Sequence, residues 1–320
     1  MGRYVIRRLV QAVAVLWAAY TLSFLVLDFL PGDPVSAMAG GGLDQASVDP
    51  ARLAELRREY GFDKPLLVRY LDHLGDAVRG DFGNSVATGQ PVASTIGDAL
   101  PQTLALTGAA LVLAVVLGTG LALAATYTTT RALRQTLLSL PALGVSLPTF
   151  WVGLMLVQLF SFRFGLVPAF GNDGVTSLIL PAVTLGVPTG ALLAQVLAKS
   201  LLTTLDEQYV QTARAKGAGR LHIHLHHALR NAALPALTIV GLLVGNLLAG
   251  SVVVETVFSR NGIGRATVSA VTVQDIPVVQ GVVVFGALVF VLANLVVDLV
   301  YPLFDPRIVV ATATRQRSLV

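Results

Sequence analysis

The chain has 320 residues, of which 54% are hydrophobic and 12% charged, and its apolar residues gather in runs of the ~20 residues that cross a hydrocarbon core as helix. That composition excludes an ordinary soluble globular domain and predicts an all-α, polytopic membrane protein. Cysteine is absent, which excludes disulfides and thiolate metal sites; the net charge of +4 sits in loops and helix ends, where membrane orientation needs it, so it gives no reason to invoke nucleic acid.

Six runs have the length and apolarity of transmembrane helices, at residues 9–29, 101–126, 136–163, 178–199, 235–257 and 281–303. The first follows Arg3, Arg7 and Arg8 and has no small-residue cleavage site, so it reads as a retained helix. Along the chain the pattern divides into an N-terminus with the first helix (1–30), an external loop (31–100), a five-helix core (101–303) with a polar loop at 200–234, and a tail (304–320).

Within the external loop, Asp49 and Pro50 read as an N-cap and first helical residue, with Leu53, Leu56 and Tyr60 on one face and Gly61 as the stop. After Pro65 a second amphipathic piece carries Leu67, Tyr70, Leu71, Leu74 and Val78 at helical spacing. Both stripes are narrow and flanked by charges, which favours short helices covering the outer mouth of the bundle over a lipid-surface anchor. Pro141 and Pro148 in the third run, and Pro181 and Pro188 in the fourth, predict kinked spans. In the fifth, Gly241 and Gly245 with Ala249 form a small-residue face suited to close helix packing.

The polar segment 206–235 is the most distinctive part of the chain. Asp206 is the expected N-cap of a short helix bearing Tyr209, Thr212, Ala213, Arg214, Ala215 and Lys216, with Gly217 where the helix ends. Small side chains at 213, 215 and 217 suit a groove on another protein, and an ordinary positively charged loop would not carry a capped helix. His222, His224, His226 and His227 follow, with i,i+3 and i,i+4 pairs on shared faces. No carboxylate lies within the run to orient the rings, so no metal site is assigned. In the last span Asn294 and Asp298 stand four apart on one face, a candidate pathway pair or a structural contact. No catalytic constellation and no phosphate-binding loop is present, so energy must come from a partner or a gradient.

Alternating the spans puts Arg3, Arg7, Arg8, Arg131, Arg134, Lys199, Arg214, Lys216, Arg220, Arg230, Arg307, Arg315 and Arg317 on one side. Arg163, Arg260 and Arg265 fall on the other, the long 31–100 loop being left aside. Thirteen against three places both termini in the cytoplasm.

Read in order, RYVIRRLVQAV near the start, PGDPV (31–35), GDFGNSVATGQPV (80–92), SLPTFWVGL (146–154), LILPAVTLGVP (178–188), YVQTARAKGA (209–218), HALRNAALPALT (227–238), VVVETVFSRNGIGR (252–265) and NLVVDLVYPLFDPRI (294–308) resemble one known family. It is the peptide/nickel-type permease family of ABC importers, B-type subunit. The resemblance implies a permease subunit in the bacterial inner membrane that pairs with a second, similar permease. It implies that Tyr209 to Ala218 form a coupling helix seated on one of two cytoplasmic ATPase subunits, which bind the ATP and Mg. No cofactor is then expected on this chain. An external substrate-binding protein would dock on the outer loops. Only His227 among the four histidines falls where the family pattern carries histidine. Dipeptides or oligopeptides are the expected cargo. Nickel or another small solute remains open within the family, and outside it an ion-gradient secondary transporter or a polytopic membrane enzyme.

Overall fold

A computed structural model describes residues 2–29, 50–59 and 63–304. These residues are almost entirely helical; among them no strand forms beyond the isolated bridge between Asn84 and Pro91. In chain order the helices are α1 (Gly2–Asp28), α2 (Pro50–Glu59), α3 (Leu66–Val78), α4 (Val92–Tyr127), α5 (Arg131–Ser146), α6 (Thr149–Arg163), α7 (Thr176–Leu205), α8 (Gln208–Ala215), α9 (Arg220–Val257), α10 (Ile263–Thr272) and α11 (Ile276–Phe304). The expected stop and cap of α2, at Asp49, Tyr60 and Gly61, lie outside the described residues, as do the side chains of Leu53 and Leu56.

Five helices, α1, α4, α7, α9 and α11, are long and apolar enough to cross a membrane. The third expected span differs from its prediction as one kinked helix. It is two helices, α5 and α6, which together have the length and apolarity of a span but are bent by 96° at a short break. The physical cause is local. Proline disfavours helical backbone at the residue before it, and Leu147 is extended (ψ 135°) ahead of Pro148, which opens α6. Pro141, by contrast, is carried inside α5.

The chain forms two units. The first comprises residues 1–104 and 259–291. Its core joins Val92, Ile96 and Ala99 of α4 to Ile263 and Ala270 of α10 and Val278 of α11. The motif at 80–92 becomes a folded loop here. Ser85 N donates to Gln90 O, Val92 N donates to Gly83 O, and Gly83 and Gly89 take the positive φ values that the turns need. Asp275, buried just before α11, holds that loop. It accepts from Ser85 Oγ at 2.5 Å, from the N–H groups of Val86 and Ala87 at 3.3 Å, and from Val278 N at 3.4 Å. Ile263 N donates to Thr103 Oγ1 at 2.8 Å and Arg260 donates to Gln102 at 3.0 Å, so the start of α10 is tied to α4.

At the α1 edge of this unit, α3 lies against the last two turns of α1. Thr21 and Tyr70 share a hydrogen bond of 2.8 Å, Tyr70 meets the rings of Tyr20 and Phe24, and Arg69 pairs with Asp28 while its guanidinium stands 5.5 Å from the Phe24 ring. Burial pulls the Arg69 pKa below its ordinary value by desolvation, and Asp28 is the opposite charge it meets there.

The second unit comprises 105–258 and 292–320. Its centre is α7, whose span is 67% buried against 17% for α1. The α4–α7 crossing is a ladder of small residues. A Cβ on Gly118 would lie 2.7 Å from Gly190 O, one on Gly190 3.0 Å from Ala114 O, and one on Gly186 2.9 Å from Ala110 O. Without a hydrophobic drive between helices in lipid, such close van der Waals contact is what holds them. On the expected small-residue face of α9, Gly241 is buried.

Candidate functional site

The polar segment between α7 and α9 is more ordered than its composition predicts. Asp206 does not cap the short helix as expected; it closes α7, its N–H bonded to Thr203 O at 3.2 Å. The residue that opens α8 is Glu207, extended at ψ 148°, whose carbonyl accepts from Val210 N and Gln211 N. The expectation placed the cap one residue early because Asp and Glu at adjacent positions are both plausible there, and neither makes a side-chain cap bond.

The end of α8 follows its prediction. Gly217 takes φ +85°, Gly217 N donates to Arg214 O at 2.9 Å and Ala218 N to Ala213 O at 3.1 Å. That pair of bonds is a Schellman closure, which satisfies carbonyls that the helix leaves without partners and requires left-handed backbone at the glycine.

α8 is rooted by Val210, fully buried among Leu201, Leu205, Ile223, Ala228 and Ala232, with Ala213 and Ala218 packed at the margin of the same cluster. Burying one such valine stabilises by roughly 1.5–3 kcal/mol. Tyr209 supplies a second anchor: its hydroxyl accepts from Asn231 Nδ2 at 2.7 Å and donates to His227 O at 3.1 Å. Val210 alone is buried; Tyr209 is 39% exposed and is tied only through its hydroxyl, and Thr212, Arg214, Ala215, Lys216 and Gly217 are exposed as well. Of the predicted set, Ala213 is the one that turns inward.

The remainder of the expected loop 200–234 is largely helix. α9 begins at Arg220 and runs without interruption through the fifth span, and residues Ile223–Ala228 take a π-helical turn. The wider turn changes which histidines meet. His222 stacks on His226 with centroids 4.6 Å apart and also reaches His227, five residues on, at 5.2 Å. His224 points the other way and is only 4% exposed. Its Nδ1 lies 3.1 Å from Arg220 O and its Nε2 3.3 Å from Thr126 O. Among the described residues no group of three or more His, Cys, Asp or Glu is arranged to hold a metal ion.

Arg220 and His224 together tie α9 to the end of α4. The Arg220 guanidinium lies 4.6 Å from the Tyr127 ring and donates to Tyr127 O, and Tyr127 packs edge-on against His224 at 5.2 Å. The last carbonyls of a helix lack internal partners and carry the negative end of its dipole, so a cationic donor there satisfies both. Sequence reasoning missed Val210, Asn231 and this Arg220–His224 clasp. Asn231 stands in the HALRNAALP block, and its distance of 22 residues from Tyr209 gives no local periodicity to read.

Asn294 is half-buried in α11, away from α8 in sequence, and the side chain of Asp298 lies outside the described residues. A cavity of about 200 Å³ opens between α4, α5 and α7, lined by Leu121, Leu138, Pro141, Ala194, Gln195 and Lys199 among others. It is predominantly aliphatic, with its polar side chains towards the cytoplasmic end predicted for α7.

Apolar helices of membrane-crossing length, one of them broken, with a rooted polar helix presented between two spans, define a multi-pass helical membrane subunit. A solved structure similar in fold is a chain of the MetNI methionine ABC transporter in an inward-facing conformation, which matches 67% of this chain and 97% of its own length with a TM-score of 0.53 at 16% identity.

The chain belongs to the binding-protein-dependent transport system inner membrane component family, whose pattern matches residues 114–310, and the N-terminal family of the same systems matches residues 1–107. It is 38% identical over 316 residues to a probable peptide ABC transporter permease protein, y4tP, of Sinorhizobium fredii, covering 96% of this chain and 99% of that one. It is likewise 38% identical over 309 residues, with the same coverage, to the glutathione transport system permease protein GsiC of Escherichia coli K12.

Proposed function

We propose that this protein is a permease subunit of an ATP-driven importer of short peptides, with α8 as its coupling helix. The peptide cargo is supported by the relatives described as a peptide permease and a glutathione permease, each aligned over nearly its full length. The single observation behind the coupling role is the rooting of α8. A short helix closed by a Schellman turn, held by buried Val210 and by the Tyr209–Asn231 bond, moves as one body with the starts of α9 and the end of α7. A force applied to its exposed face is therefore passed into two spans rather than absorbed by a loop.

In this reading Thr212, Arg214, Ala215, Lys216 and Gly217 face a groove on a cytoplasmic ATPase subunit, while Tyr209 and Ala213 hold the helix in place. ATP and Mg are bound by two such partner subunits, and this chain carries no cofactor. A second, similar permease completes the translocation path, an external binding protein delivers the peptide, and both termini lie in the cytoplasm of a bacterial cell. Asn294 and Asp298 serve as a polar contact or path-lining pair of α11.

Because the chain has no cysteine, the test is direct. Ala215→Cys or Thr212→Cys, paired with a single cysteine in the ATPase groove, should cross-link in the assembled complex, and uptake of a labelled tripeptide should require ATP. Absence of any adduct in every nucleotide state overturns the coupling assignment; uptake of nickel but not peptide overturns the cargo.

A further inference from the structure

α3 was expected to cover the bundle with its apolar stripe, and its packing is different. The side that touches α1 carries Arg69 and Tyr70, whereas Leu67, Leu71 and Val78 are 69%, 56% and 82% exposed. At 100° per residue, Leu67, Leu71, Leu74 and Val78 fall within a single arc of the helix. That arc stands about a third of a turn from the α1 contact. A third flank carries exposed Asp72, Asp76 and Arg79. A helix with one side on protein, one apolar side uncovered and one charged side has three environments to meet.

Depth identifies the uncovered side's partner. α3 is bound to Thr21, Phe24 and Asp28, that is, to the last turns of a helix that crosses the membrane at Arg8–Asp28. Thr21 to Asp28 covers about 10 Å of helix, so α3 lies level with the end of a hydrocarbon-crossing segment, not beyond it. α1 itself offers Leu22, Val26 and Phe29 outward at the same level. The exposed stripe of α3 thus continues the lipid-facing surface of α1.

We propose that α3 is an interfacial helix, its Leu67, Leu71, Leu74 and Val78 sunk into the headgroup–acyl boundary of the leaflet at the Asp28 end of α1. Its charged flank faces water, and the buried Arg69–Asp28 pair fixes its depth. Such helices bury their apolar face by about 5–10 Å. The charges around α3 are matched within the chain. Lys64 pairs with Asp72 at 2.7 Å, Arg79 pairs with Asp76 at 3.3 Å, and Asp63 and Asp81 add negative charge. Apolar burial, not attraction to anionic lipid, is then the source of the binding, and the lipid partner is zwitterionic phospholipid as readily as anionic.

The absence of native cysteine allows nitroxide labels at single positions in the assembled transporter. Leu67→Cys, Leu71→Cys, Val78→Cys, Asp72→Cys and Asp76→Cys are each labelled in phosphatidylcholine nanodiscs, with and without phosphatidylglycerol. Collision with oxygen is compared with collision with a water-soluble nickel chelate. At 67, 71 and 78 the oxygen-to-nickel ratio should be several-fold higher than at 72 and 76, in both lipid mixtures. Equal, high nickel access at 71 and 72 would mean that the stripe faces water, and access by neither reagent at 67, 71 and 78 would mean that another protein covers it; either result overturns the proposal. A ratio that rises only with phosphatidylglycerol overturns the zwitterionic partner. The readout is independent of coupling and cargo, so failure of the proposed function leaves it standing.

Discussion

Asn231 Nδ2 donates to the hydroxyl of Tyr209 at 2.7 Å, and that hydroxyl donates in turn to His227 O at 3.1 Å. The bond joins α8 to the first turns of α9. Tyr209→Phe keeps the ring and removes both bonds, a loss of about 1 kcal/mol. Amides of α8 should then exchange about fivefold faster, measured by hydrogen exchange on the assembled complex. Uptake per ATP hydrolysed should fall while membrane insertion is unchanged. Unaltered exchange in α8 would show that Val210 alone roots the helix.

Gly217 stands at φ +85° with an N–H bonded to Arg214 O. A side chain there costs about 1–2 kcal/mol, so Gly217→Ala should weaken stimulated ATP hydrolysis and uptake together. Gly217→Asn should be milder, since asparagine tolerates left-handed backbone. Gly217→Pro, which can adopt neither the φ nor the hydrogen bond, should abolish coupling in a protein that still inserts. Wild-type transport by Gly217→Pro contradicts the coupling role.

The α4–α7 ladder predicts a sharp contrast between two glycines of one helix. A Cβ on Gly118 meets Gly190 O at 2.7 Å, and one on Gly120 meets nothing within 4 Å. Gly118→Ala should destabilise by about 1–3 kcal/mol through overpacking against backbone, whereas Gly120→Ala should be neutral. Thermal unfolding of the two variants in the same detergent distinguishes them.

Asp275 accepts from Ser85 Oγ and three backbone N–H groups. Asp275→Ala leaves the buried donors Ser85 Oγ and Val278 N without this partner, each at about 1–3 kcal/mol, and the part-buried N–H groups of Val86 and Ala87 with only water. Limited proteolysis should then cut within residues 80–91. Asp275→Asn, with one acceptor oxygen kept, should be cut more slowly. A loop equally resistant in all three proteins would mean that its own turns suffice.

Topology is testable without any structure. Reporter fusions at Ala132, Gly219 and the C-terminal tail should read cytoplasmic, and those at Gly41 and Asn172 external, because the basic residues crowd one set of short loops. One reversed pair would mean that a span has been missed or invented; reversal of Asn172, Gly219 and the tail together would show that the broken α5–α6 segment enters and leaves by the same face.

By itself the sequence determined that this is a multi-pass helical protein, where most of its spans end, and that a short helix ends at Gly217; the starts were less legible, since α4 begins at Val92 and α9 at Arg220, well before the apolar runs at 101 and 235. All three follow from local physics: apolar run length, and the one residue that accepts φ +85° without strain. It also carried the ordered motifs by which the family is recognised. Only the tertiary structure decided the rest. The break at Leu147–Pro148 depended on which of two prolines a helix would carry inside it, and Pro141 is carried while Pro148 opens a new helix. Gly186 and Gly190 pack closely because they stand opposite Ala110, Ala114 and Gly118. α3 illustrates the general reason. Its periodicity announces an apolar stripe, but a stripe states only that something apolar will cover it. Arg69, a charge on the wrong side of that stripe, turns to Asp28 and sets which way the helix faces. Contacts between residues far apart in the chain leave no period to read, and they decide orientation.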